Sequence, residues 1–191
     1  MQIRNTAKLT DLKWLNMFDV AYVDKNGRNR SWQIASRAKE PKCISGKFKV
    51  PDAVVIVPLH TAENKVVITK EYRVPLADYE YGFPAGLVDE GESIKQAARR
   101  ELKEETGLSV CRFIRISPPI FSSAGMTDES IAMVYVECEG RPSIARNTGS
   151  ELIKVQLISQ PQASRICENL ALKFDAKAWL VLANFAQTGQ L

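Results

Sequence analysis

The chain of 191 residues is long enough to bury a hydrophobic core, as one domain or one domain with a small addition. Hydrophobic residues make up 45% and charged residues 25%, which excludes a mainly disordered or collagen-like chain. The net charge of +4 is uneven, because residues 1–50 hold eleven Lys and Arg against four Asp and Glu. This excess predicts either a solvated face or a surface that attracts an anionic ligand.

The predicted elements begin with a β-hairpin, since Asn26-Gly27 is a strong turn signal between two alternating segments. A Gly- and Pro-rich stretch at 81–92 predicts a loop. Ser93 and Gln96 form the capping-box pattern of a helix over 93–106. In chain order, strands are predicted at 16–24, 31–37, 52–59, 65–73, 108–116, 131–138 and 152–158, and two further helices near 160–169 and 175–187.

This order of elements predicts an α/β fold in which helices cover a mixed sheet. A basic, Pro- and Gly-containing connection at 38–50 separates the first hairpin from the rest. We therefore expect residues 1–45 to form an N-terminal antiparallel β module and residues 46–191 to form the main domain.

Several function classes have little support. No segment approaches the roughly 18 apolar residues of a membrane span, and the first residues lack the apolar core of a signal peptide. The four cysteines are scattered without a CxxC motif and the single histidine is His60, which argues against a zinc site. We expect a cytoplasmic protein with reduced thiols, no membrane partner and no nucleic-acid partner.

Three glutamates of the predicted central helix fall on one face. Glu101, Glu104 and Glu105 stand at positions i, i+3 and i+4, where side chains of a helix are neighbours. One interpretation is a solvated acidic stripe paired with Arg100 and Lys103. The other is an oxygen-rich site for a hard divalent cation, usually Mg²⁺.

The segment that contains these glutamates resembles the Nudix box. Gly86 is followed after five residues by Glu92, and after seven more by the run Arg-Glu-Leu-Lys-Glu-Glu-Thr-Gly-Leu that ends at Leu108. The chain is identified by this pattern as a member of the Nudix hydrolases, which cleave nucleoside diphosphates linked to another moiety and use Mg²⁺ or Mn²⁺. The resemblance implies a Nudix α/β/α sandwich on a mixed sheet.

The resemblance also implies a set of site residues. Glu92 and Arg100 would orient the metal-binding glutamates, Glu104 and Glu105 would serve catalysis as well, and more than one ion would bind. A diphosphate is anionic, and clustered Mg²⁺ ions neutralise charge and supply a deprotonated water. The implied metal ligands are oxygens of the box: the Ala85 carbonyl and the carboxylates of Glu101, Glu104 and Glu105.

Residues outside the box resemble the ADP-ribose and ADP-sugar pyrophosphatase branch, in particular the stretch EYRVPLADYEYGFPAGLVDEGE. Trp14 and Trp32 have the spacing of two tryptophans in that branch, and SWQIASR resembles its second strand. The resemblance implies that these rings hold adenine, one from each subunit of a homodimer with shared active sites. The alternative is that both tryptophans are half-buried packing residues.

Three further residues are implied as site residues. Arg37 and Arg73 fall where the branch places arginines against the substrate, and a guanidinium can donate two hydrogen bonds to phosphate at once. Glu151 matches a late glutamate that acts as general base or as an extra metal ligand. The alternative for all three is a solvated surface side chain.

The implied activity is divalent-metal-dependent hydrolysis of ADP-ribose or a related ADP-sugar to AMP and a sugar phosphate. One departure weakens the substrate assignment: many bacterial ADP-ribose hydrolases have a proline about 16 residues beyond the box, where this chain has Ser123 and Ala124. The alternatives are a Nudix hydrolase of another nucleotide sugar or of an oxidised nucleotide, and a non-catalytic nucleotide sensor. Sensors often lose box glutamates, and this chain retains all four.

Overall fold

The computed structural model describes residues 1–145 and 152–191. These residues form two compact units. The first unit comprises Met1–Asp52 and Pro118–Ala132, and the second comprises Ala53–Ser117 and Met133–Leu191. The first unit contains the whole of the expected 1–45 module and also takes in a later segment of the chain.

Secondary structure covers most of the described residues. The strands are β1 (Gln2–Lys8), β2 (Asn16–Val23), β3 (Asn29–Ser36), β4 (Ala53–His60), β5 (Lys65–Arg73), β6 (Asp78–Gly82), β7 (Ala85–Leu87), β8 (Ser109–Ile116), β9 (Ile120–Phe121), β10 (Ser130–Glu139), β11 (Ile153–Ile158) and β12 (Lys173–Phe174). The helices are α1 (Lys42–Ser45), α2 (Ile94–Thr106), α3 (Gln160–Glu168) and α4 (Ala176–Thr188).

The first unit is built on an antiparallel sheet with the order β1–β2–β3. The predicted hairpin is present, with Gly27 in the left-handed conformation at its turn, φ 76°. Phe18, Val20 and Ile34 form the core under this sheet, and Cys43 packs against it. β9 pairs with the first two residues of β10, which also belong to this unit.

A buried lysine ties the later segment into the first unit. The Lys42 ammonium donates to Asp52 Oδ2 at 2.5 Å and to Ser130 Oγ at 2.7 Å. The same Asp52 oxygen accepts from the Ser130 amide at 2.7 Å. Asp128 Oδ2 accepts from the Lys42 amide at 2.8 Å and from Ser36 Oγ at 3.0 Å. The Lys42 side chain is only 6% exposed, and a carboxylate and a hydroxyl take the place of the water that its amino group would otherwise bind.

The second unit is built on a mixed sheet with neighbouring strands in the order β12–β6–β5–β4–β10–β8. β11 pairs with β5 and β7 pairs with β4, while β12 runs parallel to β6. The central strands are apolar on both faces, so Val54, Ile56 and Ile68 are fully buried. The α/β class with a mixed sheet and an N-terminal antiparallel module is therefore confirmed.

The differences from the predicted elements have local causes. β1 was not predicted because its sequence QIRNTAK is polar and almost fully exposed. β6 and β7 take in five of the twelve residues predicted as a loop at 81–92, and Phe83 and Pro84 separate these two short paired strands. Backbone pairing with β5 and β4 overrides the turn propensity of these residues. No described helix has the length and apolar character needed to cross a membrane, and all four cysteines are free thiols.

Removal of the Asp52 carboxylate tests the network around Lys42. Asp52→Ala leaves a buried ammonium without its counter-charge, and we expect a loss of about 3 kcal/mol in the free energy of unfolding. Urea denaturation followed by fluorescence measures this loss. The control is Asp11→Ala, which removes the carboxylate of the exposed Lys8–Asp11 ion pair, where the Asp11 side chain is 95% exposed. This variant should have the same free energy of unfolding as the wild type within error. Equal stability of the two variants would contradict the buried-network account.

Candidate active site

Helix α2 presents the carboxylates of the site because both of its ends are fixed. The Ser93 and Gln96 side chains each accept from the other's backbone amide, at 3.3 and 2.9 Å, which completes the predicted capping box. The helix ends at Gly107 in the left-handed conformation, φ 74°. Its buried side chains pack toward β4, β7 and β8 and determine which face the glutamates occupy. The buried residues are Ala97, Ala98, Leu102 and Thr106.

Two of the glutamates lie against the backbone of β7. A Cβ atom built on Gly86 would lie 1.9 Å from Glu101 Oε1, so the Glu101 carboxylate occupies the space that any other residue at position 86 would fill. The Ala85 amide donates to Glu105 Oε2 at 3.3 Å. The glycine that opens the box is thus required by the close approach of a helix side chain.

Arg100 connects helix α2 to strand β7 and to the loop that precedes the helix. Its Nε and Nη2 atoms donate to the two oxygens of Glu92 at 3.0 and 2.8 Å, and Nη2 also donates to the Leu87 carbonyl at 2.9 Å. Nη1 donates to Glu101 Oε1 at 2.6 Å and reaches Glu104 Oε2 at 3.5 Å. One side chain therefore contacts three of the box glutamates.

These contacts keep the pair of Glu92 and Arg100 charged. Hydrogen bonds from the Arg100 guanidinium lower the pKa of Glu92 below its usual range, while partial burial acts in the opposite direction. Hydrogen bonds to Glu92, and then to Glu101, raise the pKa of Arg100. The predicted orienting role of Glu92 and Arg100 requires this geometry and stays a prediction.

The donor chemistry of this site fits a hard divalent cation. Carboxylate and carbonyl oxygens are the ligands that Mg²⁺ prefers, and two carboxylates already lie at the backbone of Ala85 and Gly86. Among the residues that the structure describes, no three His, Cys, Asp or Glu side chains are placed so that they could hold a metal ion together. Arg100 engages both Glu101 and Glu104 in this arrangement. The assignment of Ala85, Glu101, Glu104 and Glu105 as ligands stays a prediction.

Arg73, in the same unit as the box, is held by two carboxylates. Its Nη1 atom donates to Glu71 Oε1 at 2.9 Å and its Nε atom to Glu80 Oε2 at 3.3 Å. The side chain remains 48% exposed. Glu151, the predicted general base or extra ligand, lies outside the described residues.

The remaining predicted substrate residues belong to the first unit. Arg37 donates from Nε to Glu129 Oε2 at 2.8 Å. Trp14 and Trp32 are 68% and 52% exposed, so neither is a core residue of the chain. The Trp32 indole N–H donates to the Gly125 carbonyl at 3.0 Å, which restrains the edge of the ring.

Trp32 also lines an apolar cavity of about 430 Å³ within the first unit. Most of the lining is apolar, with four aromatic side chains among twelve residues, and Asp128 and Thr127 add polar atoms at its wall. The aromatic residues of this lining are Tyr22, Trp32, Phe48 and Phe121. A cavity of this composition can take a flat, largely apolar ring.

Four residues that shape these sites were not among the predicted site residues. Glu71 stands two residues before Arg73 on a strand, so the spacing alone places both side chains on one face and could have indicated the pair. Glu80, Glu129 and Gly125 reach their arginine or tryptophan partners through tertiary contacts. No local pattern in the sequence indicates such contacts.

A known protein family matches most of this chain. The NUDIX domain model matches residues 49–183. The chain is 32% identical over 139 residues to an ADP-ribose pyrophosphatase of Saccharomyces cerevisiae, covering 73% of this chain and 59% of that protein. It is 31% identical over 135 residues to an ADP-sugar pyrophosphatase of Mus musculus, covering 69% and 59%. The match thus spans about three fifths of the length of each of these curated relatives.

The crystal structure of an ADP compounds hydrolase has the same fold. It superposes with a TM-score of 0.70 at 19% identity and covers 98% of this chain and 95% of that one. The family model spans well over half of the chain, and the structure places a Nudix-box helix against a mixed sheet. The chain belongs to the Nudix family.

The contact between Gly86 and Glu101 can be tested with one methyl group. Gly86 does not have a positive φ, so alanine fits the backbone, but its Cβ must displace the Glu101 carboxylate. Because that carboxylate is the end of a flexible side chain, we expect Gly86→Ala to fold and to lose about 10- to 100-fold in turnover. Thermal melting measures the first effect, and an assay in which an added phosphatase releases phosphate from the phosphomonoester products measures the second.

The matched control is Gly82→Ala, whose Cβ would meet its nearest neighbour, Thr69 Oγ1, at an ordinary 3.8 Å. This variant should keep its turnover within about twofold, since surface and uncrowded substitutions rarely change much. Full activity of Gly86→Ala would show that the position of Glu101 does not matter.

Proposed function

We propose that this Nudix protein hydrolyses the diphosphate bond of ADP-ribose or a related ADP-sugar, giving AMP and a sugar phosphate. The observation that carries the proposal is the placement of the Glu101 and Glu105 carboxylates at the backbone of Ala85 and Gly86. The named activities of the yeast and mouse relatives support the choice of substrate. The proposed cofactor is Mg²⁺ or Mn²⁺, bound as more than one ion.

Residues of the box would bind the metal and orient its ligands. Glu101, Glu104, Glu105 and the Ala85 carbonyl would hold the metal. When bound, the metal neutralises the diphosphate and lowers the pKa of a water molecule. Arg100 keeps Glu101 at β7 through the contacts described above, and Glu92 keeps Arg100 in place. Glu151 would act as general base or as a further metal ligand, on the basis of the resemblance alone.

The substrate would be recognised by the arginines and tryptophans outside the box. Arg73 is exposed and charged, and a guanidinium binds phosphate oxygens through paired donors. Arg37 would act in the same way. The indole of Trp32 is fixed at its edge by the Gly125 carbonyl, which leaves the ring face as a stacking surface for adenine. Trp14 would supply the second ring from the partner subunit of a homodimer.

A second candidate is hydrolysis of another nucleoside diphosphate derivative. The sequence favours it at one point, since Ser123 and Ala124 stand where many bacterial ADP-ribose hydrolases have proline. This segment belongs to the first unit, where the neighbouring Gly125 contacts Trp32. A different nucleotide sugar would therefore be selected without any change to the box.

A panel of nucleotides tests the proposal. We expect Mg²⁺-dependent release of AMP from ADP-ribose and ADP-sugars, abolished by EDTA, with slower turnover of other nucleotide sugars. Glu105→Gln keeps the shape of the side chain and removes its charge, so turnover should fall at least about 100-fold in saturating Mg²⁺.

Glu90→Gln is the control for this variant. Glu90 is an exposed carboxylate of the same box, and it is not one of the residues proposed to bind metal or to orient the metal ligands. Its turnover should equal that of the wild type. Wild-type turnover by Glu105→Gln would contradict the metal-binding role. A preference for another nucleotide would move the assignment to the second candidate.

The role of Trp32 can be tested by removing its ring. Stacking on an aromatic side chain contributes about 1–3 kcal/mol per base, so Trp32→Ala should raise KM for ADP-ribose by roughly ten- to a hundredfold. Turnover at saturation should change less, because stacking on the base does not involve the diphosphate. Light scattering should give twice the chain mass. An unchanged KM would show that Trp32 is a packing residue and does not bind the base. A fully active monomer would rule out active sites shared between subunits.

A further inference from the structure

The hairpin of β5 and β6 carries an arginine between two carboxylates. Glu71 and Arg73 stand two residues apart on β5, and Glu80 lies directly opposite Glu71 on β6. All three side chains therefore share one face of the hairpin. The two carboxylates are each 21% exposed and both contact the Arg73 guanidinium, at 2.9 and 3.3 Å.

This arrangement is specific to Arg73. The residue directly opposite Arg73 is Asp78, yet Asp78 Oδ2 accepts instead from Lys173 at 2.6 Å. Two like charges directly across a strand pair destabilise a sheet, so the juxtaposition of Glu71 and Glu80 has a cost that Arg73 offsets. The contacts engage Nε and Nη1, and the Nη2 group takes part in neither of them.

We propose that Glu71 and Glu80 are positioning residues that orient the Arg73 guanidinium for the substrate diphosphate. The inference rests on the proposed function, in which Arg73 binds that diphosphate. An exposed arginine loses side-chain freedom when it binds a ligand. Two carboxylates that hold Nε and Nη1 before binding reduce that loss and fix the direction of the remaining donors.

Electrostatic repulsion of the substrate and positioning of Arg73 predict opposite changes in KM when Glu71 or Glu80 is neutralised. A carboxylate close to an anionic diphosphate repels it, so loss of a carboxylate would lower KM if repulsion were its only effect. If the carboxylate positions Arg73, its loss raises KM. The sign of the change in KM therefore distinguishes the two roles.

The test is a double-mutant cycle on ADP-ribose hydrolysis in saturating Mg²⁺. We expect Glu71→Gln and Glu80→Gln each to raise KM about threefold to tenfold, with kcat within twofold of the wild type. In an Arg73→Ala background the same substitutions should leave KM unchanged or lower it, since nothing remains to be positioned. Calorimetric titration of ADP-ribose into each protein in EDTA, where the substrate is not consumed, should reproduce these differences as changes in Kd.

The matched control is Glu63→Gln, which removes an exposed carboxylate of the same unit that pairs with Lys65 at 3.0 Å. It should change neither KM nor kcat. An unchanged or lowered KM in both test variants, or an equal rise with and without Arg73, would overturn the positioning role while the hydrolase assignment stands. If the wild-type protein hydrolysed no nucleotide of the panel, both the proposed function and this inference would be overturned.

Discussion

The site depends on the ion pairs and hydrogen bonds of a single guanidinium. Arg100 is 29% exposed and donates to Glu92, to Glu101 and to the Leu87 carbonyl. It thereby fixes the helix relative to the short strand β7 and relative to the loop that enters the helix. Charge-assisted, bidentate contacts of this kind are among the strongest that a side chain makes. Without them, Glu101 would lack its restraint at the Gly86 backbone.

The same arginine contacts two of the three glutamates whose spacing destabilises the helix. Three carboxylates at i, i+3 and i+4 repel one another and destabilise an isolated helix by roughly 0.2–0.5 kcal/mol per pair. The capping box at Ser93 and the left-handed Gly107 stabilise the helix ends, and Leu102 is fully buried against the sheet. These contacts stabilise the helix despite its unfavourable charge pattern.

The box and the central elements could be predicted because their signals are local. The capping residues, the helix stop and the buried strands follow from residues close in sequence, and α2 begins and ends within one residue of its predicted bounds. The short strands β6, β7, β9 and β12 could not be predicted, because they exist only through pairing with distant strands. The same reason applies to Lys42, whose burial requires Asp52 and Ser130.

Direct measurement of metal binding tests the central claim most closely, because it does not depend on the choice of substrate. Mn²⁺ is titrated into the wild type, Glu101→Gln, Glu105→Gln and the control Glu90→Gln, and free Mn²⁺ is followed by its paramagnetic resonance signal. We expect the wild type and Glu90→Gln to bind Mn²⁺ alike, and Glu101→Gln and Glu105→Gln each to lose at least about tenfold in affinity. Equal Mn²⁺ affinity in all four proteins would contradict it.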